Sequence, residues 1–255
     1  MTDNLIISQD GPVTLIQLNR PQKRNAIDKA TAIALRTAIL DFEAAENARV
    51  LVITGGPEVF SAGADLHDSA AILADVQLEG YGPLEFGRLM TSKPSIAAVA
   101  GHAVAGGFEL ALWCDIRIAA ENAVFGWFQR RFGLPFTNGG SQRLAPLVGL
   151  GRAQEITLTG RPVPAEEALA IGLVTEVVPP EKLIAHAMEL AQRIASFPQT
   201  CLRNDRRSVY ESWHLSMEEG LKLETEMGLA TLASGEAKEG AQRFQKGEGR
   251  GGKFE

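Results

Sequence analysis

SIAAVAGHAVAGGFELALWCDIRIAA, residues 95–120, carries the pattern that decides the fold class. Ser95 to Val99 and Ile116 to Ala119 are short apolar runs of strand character, and Gly106 to Trp113 between them reads as a helix. Strand, helix and strand in that order predict a βαβ unit within a mainly parallel, buried sheet. Gly106 and Gly107 stand where the helix begins. The first N–H groups of a helix have no partner inside it, and the helix dipole adds partial positive charge at that end. Such a place suits an oxygen that gains negative charge during a reaction. Glu109 falls in the first turn of the same helix, and a carboxylate there becomes a stronger base once bound substrate excludes water.

Outward from this unit the alternation continues. Leu5 to Ile7 and Val13 to Leu18, separated by Gln9-Asp10-Gly11-Pro12, read as a hairpin. Asp28 is placed to cap a helix reaching about Asn47, because Leu35, Ile39 and Phe42 share one face. Val50 to Thr54 is a buried strand, and Ser69 to Met90 is less clearly helical. From about Gly139 the chain reads as helices, apart from a strand at Val174 to Val178. The helix from Pro180 to Ser196 carries Leu183, Ala187, Leu190 and Ile194 on one stripe. The expected class is α/β. Residues 1–195 are expected to form the core, and 196–255 a helical region that joins subunits or covers the core. The glycine-rich stretch GEGRGG, 247–252, is expected to be flexible.

Composition narrows the functional classes. The 255 residues are 45% hydrophobic and 22% charged, which is globular rather than disordered or collagenous. A net charge of -6 without a basic stripe argues against a nucleic-acid partner. Cys114 and Cys201 form no CxxC pair and read as reduced structural thiols. With no secretory or transit pattern at the amino terminus and no spanning apolar run, the expectation is a cytoplasmic protein without a membrane partner.

A second glycine-bearing stretch, Phe60-Ser61-Ala62-Gly63-Ala64-Asp65-Leu66, follows the strand VLVIT by a few residues. Small residues around Gly63 let a ligand approach the N–H of Ala64. Each stretch alone is also what a structural glycine turn looks like; the combination is more specific. RPQKRNAI at 20–27, FSAGADL at 60–66, GHAVAGGFELALWCD at 101–115, FGWFQRRFGLPFTNGGSQRL at 125–144 and LTGRPVPAEEALAIGLVTEVV at 158–178 together resemble the enoyl-CoA hydratase/isomerase, or crotonase, family.

The resemblance implies a spiral of repeated ββα turns with a carboxy-terminal helical region, and a homotrimer or dimer of trimers. It implies an acyl-CoA thioester as substrate, with coenzyme A belonging to the substrate, and no separate cofactor or metal. Transferred onto matching positions, the family's two carbonyl-binding N–H groups fall on Ala64 and Gly106. Its CoA-binding backbone falls near Arg24, Ala26, Ala62 and Leu66, with Asp65 between them in the same loop. The resemblance makes Glu109 one of two catalytic glutamates. The other position is occupied by Gln129, a departure from the family's pattern.

Glutamine holds water by hydrogen bonds but exchanges no proton at neutral pH, which leaves Glu109 as the evident acid/base. Two outcomes follow: hydration of a trans-2-enoyl-CoA persists through a single water served by Glu109 and oriented by Gln129, or the chain performs another reaction of the family. A third reading is an acyl-CoA-binding protein with little turnover. Arg130 and Arg131 read either as partners for an acyl carboxylate or as surface cations, and Trp127 and Phe128 either as walls of the acyl pocket or as packing residues. Gly149-Leu150-Gly151 lacks the third glycine and the preceding strand of a dinucleotide loop. The histidines have no metal-ligand spacing, and Ser141 is not in a GxSxG elbow.

Overall fold

The structure, a computed structural model, describes residues 4–74 and 76–249; the expected flexible stretch therefore lies outside the described residues from position 250. The hairpin forms as read: β1 (Leu5–Asp10) pairs antiparallel with β2 (Val13–Leu18), Leu5 opposite Leu18. The Asp28 carboxylate accepts from Thr31 N–H at 2.8 Å and so caps α1 (Lys29–Ala44), whose Leu35, Ile39 and Phe42 are buried. This helix stops short of Asn47. Its last turn is closed by Lys93, whose ammonium donates to the Phe42 and Ala45 carbonyls at 2.8 and 2.7 Å.

β3 (Val50–Thr54) lies parallel to β2, and every residue in it is buried. After the short α2 (Ser69–Ala74), residues 76–94 are irregular. Left-handed Gly80, Gly82 and Glu85 keep that segment from continuing as a helix. The deciding stretch then delivers β4 (Ser95–Val99), the unforeseen β5 (His102–Val104), α3 (Gly106–Trp113) and β6 (Ile116–Ala120). Beyond it come β7 (Val124–Gly126), α4 (Gly140–Val148), α5 (Leu150–Thr159), β8 (Val163–Pro164), α6 (Ala165–Ala170), β9 (Glu176–Val178) and α7 (Leu183–Ser196). Strand β9 begins two residues later than Val174, because Leu173 and Val174 donate to the Ala168 carbonyl at the end of α6. The face that α7 buries is Leu183, Ala187, Ala191 and Ala195; Leu190 and Ile194 are only half-buried.

The strands form two sheets. The large one has the order β1-β2-β3-β4-β6-β9 and is parallel from β2 onward; the small one has the order β5-β7-β8. Successive turns of chain place a long strand in the first sheet and a short one in the second, β4 with β5 and then β6 with β7, each pair parallel to the next. Single bridges extend the small sheet's pairing backward, Ser61 to Ala103 and Ile27 to Ala64. This is the ββα spiral of the crotonase fold. Between the layers sits a core that includes Phe60, Phe86, Phe108, Phe125 and Trp127, none of them accessible to solvent.

The chain folds as two compact units, Met1–Ile194 and Ala195–Glu255. The second holds α8 (Gln199–Ser212), α9 (Met217–Ser234) and α10 (Glu236–Gln245), and α9 starts with a reciprocal capping box between Ser216 and Glu219. Cys114 and Cys201 are both free, and burial pushes the Cys114 thiol up to about 12. Among the described residues no helix is long and apolar enough to cross a membrane.

Two polar side chains tie the 20–27 loop to the 55–65 loop. Asn25, 1% exposed and left-handed, donates to the Gly55 and Val59 carbonyls at 2.8 Å each and accepts from Arg20 N–H. Arg20 bridges Asp28 at 2.9 Å and Asp65 at 3.1 Å. Replacing Asn25 by alanine leaves two half-buried carbonyls and an N–H without their partner, each costing up to roughly 1–3 kcal/mol. Asn25→Ala is therefore expected to lower unfolding free energy by more than about 2 kcal/mol in urea titrations; a change within about 0.5 kcal/mol, typical of inert surface sites, would count against this role.

Candidate active site

Ala105 precedes α3 with φ 53° and ψ -125°, a conformation rare for a side chain with a Cβ. Its own N–H bonds to the Gly126 carbonyl at 2.9 Å, while its carbonyl accepts from Phe108 and Glu109 N–H. The kink turns the next amide, that of Gly106, away from the β5–β7 ladder. Opposite it, Gly63 has φ 86°. A methyl built on Gly63 would lie 2.6 Å from the Gly106 nitrogen, and one built on Gly106 would lie 3.4 Å from the Ala64 nitrogen. The amides of Ala64 and Gly106 are thus neighbours. Ile27 and Asp65 make the bonds of the Ile27–Ala64 bridge, and neither the Ala64 nor the Gly106 N–H has a hydrogen-bond acceptor among the described residues.

These residues open onto a cavity of about 120 Å³, lined among others by Ala62, Ala64, Gly106, Glu109, Gln129 and Asn138. Its other walls are apolar, chiefly Leu66, Leu73, Val76, Leu84, Phe128 and Phe132. Glu109 is 3% exposed. Its Oε1 accepts from the amides of Asn138 at 3.0 Å and Gly140 at 3.2 Å, and its Oε2 from Asn138 Nδ2 at 3.0 Å. Burial raises the Glu109 carboxyl above the ordinary range, and these hydrogen bonds only partly offset that rise. Gln129, 7% exposed, has its Oε1 buried without a hydrogen-bond partner.

Of the other residues singled out from the sequence, Ala62 and Leu66 line the cavity, whereas Arg24 and Ala26 do not; Arg24 reaches its edge through a 3.0 Å bond from Ala62 N–H to its carbonyl. The Ala26 carbonyl accepts from Arg20. Asp65 is occupied structurally: burial acts to raise its carboxyl, but the His67 N–H and Arg20 outweigh that and hold it low. Phe128 lines the cavity, while fully buried Trp127 packs 4.3 Å from Phe108 and 4.6 Å from Phe136 instead. Exposed Arg130 and Arg131 lie over the Phe136 and Phe128 rings and do not line the cavity.

Comparison with known proteins agrees with this geometry. The enoyl-CoA hydratase/isomerase family model matches residues 8–254. A probable enoyl-CoA hydratase of Rhizobium meliloti is 37% identical over 95% of each chain, and a probable mitochondrial enoyl-CoA hydratase of Dictyostelium discoideum is 36% identical over 92% of this chain and 85% of its own. The crystal structure of an enoyl-CoA hydratase from Mycobacterium tuberculosis superposes with a TM-score of 0.90, at 32% identity over 96% of both chains. The chain belongs to the enoyl-CoA hydratase/isomerase (crotonase) family. It is an enzyme of the lyase type, carrying this family's hydratase/isomerase chemistry on acyl-CoA thioesters.

Asn138 and Leu84 are among the cavity residues not singled out from the sequence. Asn138 lies within FTNGG, where the following glycines drew notice as a helix start; a polar residue just ahead of that start was the available signal. Leu84 sits in an irregular segment with no periodicity to flag it. Because Glu109 ionises at higher pH in the folded chain than in the unfolded one, the folded state holds the extra proton between those two values. Stability therefore falls as pH rises through that window and stays lowered above it. Relative to wild type, Glu109→Gln is expected to gain stability from about pH 4 upward, read as diverging urea midpoints; midpoints whose separation does not vary with pH would contradict the raised value.

Proposed function

We propose that the chain adds water across the 2,3 double bond of a trans-2-enoyl-CoA thioester. The observation carrying this reading is the pair of uncommitted amides, Ala64 and Gly106, side by side on the cavity that also holds the buried Glu109 carboxylate. The thioester oxygen accepts from both N–H groups, which stabilise the negative charge it gains as the enolate forms. Glu109 takes a proton from a water, whose oxygen bonds to C3, and the proton is returned to C2, so both parts of one water enter the product. The Gln129 amide orients that water. The coenzyme A portion runs past the backbone of Arg24, Ala26, Ala62 and Leu66, and the apolar walls receive the acyl chain.

A second reading is motivated by Gln129 itself. With an amide at the position of the second glutamate, the chain performs another crotonase-family reaction, such as isomerisation, hydrolysis or decarboxylation, or binds acyl-CoA with little turnover. The assembly we propose is a homotrimer or dimer of trimers in the cytoplasm, without nucleic-acid or membrane partners. Supporting the assembly are apolar side chains of the second unit left open to solvent, among them Val209 at 70%, Trp213 at 61% and Leu232 at 64% exposed.

Purified enzyme is expected to consume crotonyl-CoA with loss of the conjugated thioester absorbance, and Glu109→Gln to lower the rate by roughly a hundred- to ten-thousand-fold. Gln129→Glu is expected to raise it; unchanged or lower hydration would count against Gln129 occupying the second catalytic position. Gly63→Ala presses a methyl onto the Gly106 amide and should reduce kcat/KM by on the order of a hundred-fold. Binding of crotonyl-CoA without absorbance loss, together with product formation from a different thioester followed by mass, would select the second reading.

A further inference from the structure

Asn138 reaches three parts of the site at once. It is 2% exposed, and its backbone and side-chain N–H groups grip the two oxygens of Glu109, both at 3.0 Å. Its Oδ1 accepts from the Leu84 N–H at 3.2 Å, and its carbonyl accepts from Arg143 at 2.7 Å. Leu84 in turn lines the cavity, with its Cδ1 closing the space beside Gly106. A carboxylate offers about four lone-pair sites, and the hydrogen bonds are divided unequally among them. Oε1 receives two amide N–H groups, from Asn138 and Gly140, whereas the side-chain donor to Oε2 is Asn138; the Thr137 backbone adds a further hydrogen bond to the carboxylate.

We propose that Asn138 is the positioning residue of this site: it orients the Glu109 carboxylate so that Oε2 is the oxygen that works on substrate, and it holds Leu84 over the amide of Gly106. The reading rests on Glu109 being the base and on the cavity being the acyl site. Without the Nδ2 donor, Oε1 keeps its two backbone amides but Oε2 loses its side-chain partner, so the orientation of the carboxylate is less tightly held. With an aspartate at 138, a second carboxylate faces Oε2 at hydrogen-bond distance in a desolvated pocket, and one of the pair must hold a proton.

The charged groups around Glu109 are otherwise committed. Arg143 on α4 donates to the Asn138 and Gly87 carbonyls. Glu85, beside Leu84, is paired with Lys29 and Arg36. Arg130 and Arg131, flanking Gln129, lie over aromatic rings. Glu109 is the one carboxylate among the described cavity-lining residues. Its titration should therefore report the occupant of position 138.

The test is a direct titration of Glu109 in full-length protein carrying carboxyl-labelled glutamate, its carbon-13 resonance assigned by loss in Glu109→Gln, with Asn138→Ala and Asn138→Asp compared to wild type. Both variants should move the midpoint upward, Asn138→Asp by about one pH unit or more. In crotonyl-CoA hydration, both should lower kcat at least tenfold with KM within about twofold, and shift the acidic limb of kcat with the titration. A midpoint unmoved in both variants would overturn the proposal, as would an unchanged kcat. If Asn138→Ala does not fold, the near-isosteric Asn138→Asp decides. If wild type leaves crotonyl-CoA untouched, the hydration reading fails on its own, and the resonance still decides whether position 138 governs Glu109.

Discussion

The close approach of Gly63 to Gly106 is the constraint on which the rest of this structure depends. Two loops from different turns of the spiral meet so tightly that a Cβ at position 63 would strike the Gly106 nitrogen, while one at position 106 would displace the end of the Leu84 side chain, and the amides of Ala64 and Gly106 emerge beside one another. The approach is held by bonds further out. Ser61 N–H donates to the His102 carbonyl and Val104 N–H to the Ser61 carbonyl, pinning one loop to β5. The Ser61 hydroxyl donates to the Asn25 carbonyl and accepts from Gly63 N–H, pinning the same loop to the 20–27 segment. A strained residue such as Ala105 raises the energy by about 1–3 kcal/mol. Several buried hydrogen bonds, each contributing about 1 kcal/mol, are enough to offset it.

Two helix starts serve the cavity in complementary ways. The first turn of α3 leaves the Gly106 N–H without an acceptor at the cavity, and the first N–H of α4, that of Gly140, is spent on the enzyme's own Glu109. Both ends carry partial positive charge. One is available to a charge that appears transiently, the other supports a charge that is permanent above the Glu109 pKa. Burial works against the permanent charge and dominates. The result is a carboxylate that is more basic than in water yet held by donors on both oxygens.

Much of this arrangement was legible in the sequence because it depends on local chemistry. The βαβ alternation from 95 to 120, the Asp28 cap and the glycines at 63, 106 and 107 each have a residue-level cause, and each formed at the expected place. The small sheet was not foreseen: β5, β7 and β8 are two or three residues long, too short for an alternating pattern to show, and they exist because the long strands beside them bring them into register. The stripe expected in α7 was right at Leu183 and Ala187 and missed at Leu190 and Ile194, where Ala191 and Ala195 are buried instead. Alanines at 187, 191 and 195 let that face approach closely, which a ranking by hydrophobicity alone does not register. Asn138 escaped notice because its role is entirely tertiary, linking residues 29 and 54 positions away.

An amide rather than a carboxylate at position 129 changes more than the number of proton-transfer groups. Two carboxylates in one desolvated cavity raise each other's pKa and titrate as a pair, so neither has a value of its own. With a neutral amide opposite, the Glu109 elevation comes from burial alone, and the backbone and Asn138 donors set its limit. The electrostatics of the site then reduce to one titrating charge facing two fixed amide dipoles. Gln129 Oε1 has no hydrogen-bond partner among the described residues, so it can accept from a hydroxyl or water that enters the cavity. An acceptor that cannot take a proton and a carboxylate that can thus line the same cavity, which divides holding from proton transfer between two side chains.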